Sequence, residues 1–232
     1  MELYKVTKKD VYLKAAESPA ESLIARLTSW KDYSNYWRAD DSDRPFFHVL
    51  EEGFPVVSLL YYVDVCDSKT TVDVLRAIKK SLEFNLSVTS EVPNMFGYVR
   101  RLVQREDGSR ATTFFCPHDI ETAPWWQGED ARLASLASAA RLAIPYFKAD
   151  ADFVKKLERH ADDQSNCILG LNPFDACMMK GAGHNNPEYK FFDSNQYMNM
   201  PGGISNGITA GLDNEHDVDI DVPYSITGKD NG

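Results

Sequence analysis

"CILGLNPFDACMMKGAGHNN", residues 167–186, decides how this chain is read. A polar segment with helical spacing runs into it. Gly170 and Asn172 suit a left-handed helix cap, and Pro173 forbids continuation. A short run of Ala, Cys and Met follows. Gly181 and Gly183 then make a turn that ends in His184, Asn185 and Asn186. The stretch predicts the end of a helix and a glycine-rich corner that displays an imidazole and two amides.

Working outward, the segment 149–169 reads as the helix that this stretch stops, with Phe153, Leu157, Ala161 and Ile168 on one side. Residues after Trp126 read as another helix, with a stripe of Leu133, Leu136, Ala140 and Ile144 that ends at Pro145. Residues 18–38, "SPAESLIARLTSWKDYSNYWR", also read as a helix. Ser18 and Glu21 form a capping box, Pro19 sits in the first turn, and Leu23, Leu27, Trp30, Tyr33 and Trp37 form the stripe. A largely apolar helix starts near Pro55. An amphipathic one covers 69–86, with Val72, Leu75, Ile78, Leu82 and Leu86 inward. Asp107–Gly108 predicts a hairpin turn near 103–116, while 96–104 is open between helix and strand. From residue 181 to 232 the chain becomes rich in Gly, Asn, Asp and Pro. A loop of that length is uncommon unless functional. The expectation is one all-α domain of helical hairpins over 18–180, with a long irregular arm over 181–232.

The 232 residues carry a formal net charge of −10, which argues against nucleic acid and anionic membrane surfaces as partners. Cys66, Cys116, Cys167 and Cys177 form no CxxC pair and read as reduced, mostly buried thiols. The opening "MELYKVTKKD" lacks the apolar core of a signal peptide.

"ILGLNPFDACMMKGAG" (168–183), "HNNPEY" (184–189), "PGGISNGITAG" (201–211) and "HDIETAPWWQGEDARLASLASAAR" (118–141) together resemble glycoside hydrolase family 9, in a divergent bacterial branch. The resemblance covers the C-terminal half well; the N-terminal half matches chiefly through "EEGFPVVSLLYY" (51–62). It implies an (α/α)6 toroid of six-hairpin glycosidase type. It also implies inverting hydrolysis of β-linked glucan-type poly- or oligosaccharides, which needs two carboxyl groups with room for a water between them. No cofactor is required.

The chain departs from the family in three places. It has no "DxGD"-type base motif. The substrate-binding His–Arg pair is replaced by Lys190, Phe191 and Phe192. No final helix carries the acid glutamate, so no catalytic residue is assigned; Glu215 in "DNEHD" is the one carboxylate that echoes the motif. These departures lead to the expectation of an incomplete toroid whose N- and C-terminal parts lie elsewhere. The parent would then be a secreted or periplasmic bacterial enzyme.

Trp125 and Trp126 are the candidate sugar-stacking residues, because an indole covers the apolar C–H face of a pyranose; either could instead be core. Gln127, Glu129 and His118 lie beside them, where Glu129 equally suits the helix N-terminus or an ion pair with Arg132. His184, Asn185, Asn186 and Asn206 can donate to and accept from sugar hydroxyls, or simply build turns. Asp213, Glu215, Asp217 and Asp219 alternate in a pattern that could hold Ca2+ or be a solvated acidic loop. A carbohydrate-binding or pseudoenzyme module without turnover is the alternative reading. The five scattered histidines weigh against a lyase or epimerase.

Overall fold

The computed structural model describes residues 1–46, 51–115, 120, 128–187, 200–210 and 218–219. Among these residues the chain runs α1 (Glu2–Thr7), α2 (Asp10–Ile24), β1 (Leu27–Trp30), β2 (Tyr33–Trp37), α3 (Phe54–Val63), α4 (Ser68–Thr89), β3 (Arg101–Gln104), β4 (Arg110–Thr113), α5 (Glu129–Ala143), α6 (Ala151–Ile168), β5 (Thr209–Ala210) and β6 (Val218–Asp219). The strands form three antiparallel two-stranded ribbons. The fold is therefore mixed α/β, and the all-α expectation is corrected. The two-stranded ribbons stand between successive helices, so the chain is not the uninterrupted run of helical hairpins expected from sequence.

The decisive misreading lies in 18–38. Leu27 pairs with Trp37 and Trp30 with Tyr33 across the β1–β2 hairpin. The spacing that mimics a helical stripe is here the register of two short strands. Aromatic and β-branched residues favour the pleated form, and Lys31 turns the corner with φ 53°. The Trp30 and Tyr33 rings stack at 6.2 Å. Arg26 ties down the far end, donating to the carbonyls of Arg38 and Ala39. Helix α2 begins earlier, after Lys9, so Ser18 caps nothing and Pro19 lies inside the helix, where it gives up one i→i−4 hydrogen bond.

Other elements form for reasons visible in the sequence. Pro55 opens α3. The Asp67 carboxylate caps α4 by accepting from Thr70 N at 2.8 Å. The inward face of α4 is rotated from the expected one: Val74, Ile78, Leu82 and Val88 are buried while Val72 is exposed. Residues 101–104 are strand, joined to β4 by the Asp107–Gly108 turn. Asp150 caps α6 through Phe153 N.

The main core packs α3, α4, α5 and α6 around Leu59, Ile78, Leu82, Ala140 and Leu157. A second cluster, built on Tyr98, Val99, Leu133, Leu136, Ile168 and Met178, lies under the α6 end and the arm. Alanines at 139, 140, 143 and 161, all fully buried, let α5 and α6 lie close together.

Candidate functional site

Helix α6 ends as its sequence dictates. Gly170 takes φ 118°, and Leu171 N reaches back to Asn166 O at 2.8 Å. Asn172 acts through its side chain rather than as the left-handed residue. Its Nδ2 donates to Cys167 O (2.7 Å) and Ala176 O (2.8 Å), and its Oδ1 accepts from Phe174 N. The chain is thereby folded back, so that Met178 N donates to Ile168 O at 2.8 Å.

The arm then docks on this return segment and on α5. Ser205 N donates to Met178 O at 3.0 Å, and Asp130 N in the first turn of α5 donates to Asn206 O at 2.9 Å. Gly207, at φ 103°, makes the approach possible: a Cβ there would stand 2.8 Å from Asp130 N. Residues 168–178, 203–207 and 128–132 thus converge, though the chain separates them widely.

Under this junction lies a buried charge network. The Glu129 carboxylate accepts from Tyr98 OH (2.8 Å), Arg132 Nη1 (2.5 Å) and Arg101 Nη2. Arg132 also donates through Nε to Glu52, before α3, and to Val99 O at 3.3 Å. Glu52, Arg101, Glu129 and Arg132 are all buried, and Arg101 Nε and Nη1 have no partner among the described residues. Burial alone would raise the Glu129 carboxyl, but the charges of Arg101 and Arg132 outweigh it and hold it below its ordinary value. Its neighbour goes the other way. Burial, reinforced by the Glu129 charge, pushes Asp130 well above the usual carboxylate range, opposed only by Ser205. The surroundings of two adjacent carboxyls thus shift them in opposite directions.

Glu129 is therefore engaged on both oxygens and 1% exposed, and it keeps the i,i+3 partner anticipated for it. Of the other predicted residues, His184 is exposed and its Nε2 lies 2.7 Å from Asp175 Oδ1. Asn185 donates to Asp175 O at 3.0 Å. Asn186 donates to Cys177 O, Met179 O and Ala182 O, and accepts from Gly181 N, so its amide is committed to the turn. Asn206 joins the junction through its carbonyl.

Trp125, Trp126, His118 and Gln127 lie outside the described residues, as do Asp213, Glu215 and Asp217. Asp219 is described in its backbone alone, opposite Thr209. Among the described residues no group of three His, Cys, Asp or Glu could hold a metal ion, and no helix is long and apolar enough to cross a membrane. Cys66, Cys167 and Cys177 are free thiols, and burial, with smaller contributions from the Asp163 and Asp130 charges, pushes Cys167 up to about 12.

Sequence reasoning missed Glu52, Tyr98, Arg101, Asp130 and Asp175. Two of these had a local signal: Arg101 is a charge inside the apolar run "YVRRLV", and Asp130 adjoins Glu129 at a helix start. No protein-family model matches the chain, and no curated protein matches it.

Proposed function

We propose that this chain is part of a glycoside hydrolase related to family 9, which cleaves β-linked glucan-type chains by inversion, and that the chain supplies glycan contacts rather than the catalytic carboxylates. One observation supports this reading. Three of the four stretches that carry the family resemblance, 118–141, 168–183 and 201–211, meet near the first turn of α5, through the hydrogen bonds at Ile168, Met178, Ser205, Asn206 and Asp130. Trp125 and Trp126 lead directly into that turn in sequence, so their indoles are the proposed sugar platform. The Asp130 N–H, bonded to Asn206 O, and ion-paired Glu129 hold the turn in place.

An inverting pair needs carboxyls about 6.5–9.5 Å apart, with a water between them and access to substrate. Glu129 and Asp130 are both buried, at 1% and 3% exposure, and are adjacent in the chain. That favours binding without turnover for the isolated chain and leaves hydrolysis to the longer protein. The test is a paired assay of the purified chain on cello-oligosaccharides, for reducing-end release and for binding. Binding without release is expected. Release at an enzymatic rate refutes the division of labour, and failure to bind any β-glucan oligomer refutes the glycan reading.

A further inference from the structure

A groove of about 720 Å³ lies between the last turns of α4 and the outer face of α6. Its size is that of a small-molecule site, and it is separate from the α5 junction. Leu86 and Phe153 give it an apolar bed, and Lys79 Nζ already stands 5.1 Å from the Phe153 ring centroid.

The hydroxyls on the α4 side of that bed share one property. Ser87 Oγ donates to Phe84 O (2.8 Å), Thr89 Oγ1 to Asn85 O (2.7 Å) and Ser90 Oγ to Leu86 O (2.9 Å). Each hydroxyl has a single proton, so the α4 wall can accept hydrogen bonds but not donate them. On α6, Asp163 is three-quarters covered, and its partner Arg159, at 3.5 Å, is itself 80% exposed. Burial raises the Asp163 carboxyl, the mark of a charge short of compensation. His160 lines the same groove at 4% exposure, and its Nε2 has no hydrogen-bond partner among the described residues. Burial, with the Arg132 charge behind it, pushes this imidazole down to about 4, so it is neutral near pH 7 and has one donor and one acceptor nitrogen, the tautomer deciding which is which.

We propose that this groove binds an aliphatic organic cation, an alkyl amine or alkyl guanidinium, with its hydrocarbon chain over Leu86 and Phe153 and its N–H groups against Asp163, His160 and the α4 hydroxyls. Such a ligand brings donors to a wall of acceptors and positive charge to a half-sunk carboxylate. Lys156 and Arg159, the cations of the groove's own lining, are both exposed and sit at its rim. The inference does not depend on the glycan reading.

The test is calorimetric titration of agmatine into the full chain at low ionic strength. Saturable one-site binding is expected, weakened about tenfold or more by Asp163→Asn and by raising salt from roughly 50 to 500 mM. Ser90→Lys, at an exposed position, places a tethered ammonium in the groove and abolishes agmatine binding without disturbing the core. Absence of saturation in wild type overturns the proposal. So does binding that survives both Asp163→Asn and Ser90→Lys.

Discussion

Replacing Arg132 with methionine removes the group on which the buried network converges. The side chain donates to Glu52, to Glu129 and to Val99 O, and none of it reaches solvent. Methionine fills much of the volume, so the loss is electrostatic rather than a cavity. Glu129 keeps Arg101, but Glu52 is left buried without its cation. Breaking one partner out of a buried pair costs about 3–5 kcal/mol. At roughly 2–4 °C per kcal/mol for a chain of this size, the melting temperature falls by about 6–20 °C. Circular dichroism against temperature and urea measures this. The Arg132→Met, Glu52→Gln cycle should show a coupling of about 0.5–3 kcal/mol, because the double variant no longer strands a carboxylate. A loss below about 1 kcal/mol, with no coupling to Glu52, refutes the reasoning, since that is the cost of an exposed pair.

Asp130 gives a pH prediction of definite sign. Its folded-state pKa is raised, so the folded chain binds more protons than the unfolded one, and stability falls as pH rises from the ordinary carboxylate value toward the raised one. Asp130→Asn should flatten that decline in a melting-temperature profile, and the wild-type-minus-variant difference should grow more negative with pH. Gly207→Ala places a Cβ 2.8 Å from Asp130 N at φ 103°. It should cost about 1–3 kcal/mol and speed amide exchange at Asp130 and Ser205, measured by hydrogen exchange. The β1–β2 register predicts nuclear Overhauser contacts between the side chains of Trp30 and Tyr33 and extended-strand carbon shifts in β1 and β2 on either side of the turn at Lys31. Helical shifts there would restore the helix reading.

The parts of the fold that were legible rest on residues whose backbone chemistry is unambiguous. Pro55 can open a helix, Asp107–Gly108 can turn a hairpin, and Gly170 with Pro173 can end α6; each does. The parts that were not legible rest on spacing alone. Leu27, Trp30, Tyr33 and Trp37 satisfy a helical period and a hairpin register equally, and only the partner they pack against chooses between them. In the hairpin, Tyr36 meets Phe84 of α4 with ring centroids 5.9 Å apart. The site divides the same way. Glu129 and Arg132, one helical turn apart, could be paired from sequence. Glu52, Tyr98 and Arg101 could not, because they reach Glu129 and Arg132 across 28 to 80 residues. Asp175 meets His184 across a turn whose geometry depends on the left-handed backbone of Asp175 and Asn185 themselves.

The measurement to make first is intrinsic fluorescence during titration with a cello-oligosaccharide. The chain has four tryptophans, and Trp30 and Trp37 belong to the β1–β2 hairpin. If Trp125 and Trp126 form a sugar platform, the emission shifts saturably and the shift disappears in the Trp125→Ala, Trp126→Ala variant. An unchanged spectrum in wild type, or a shift that survives in that variant, contradicts the glycan reading.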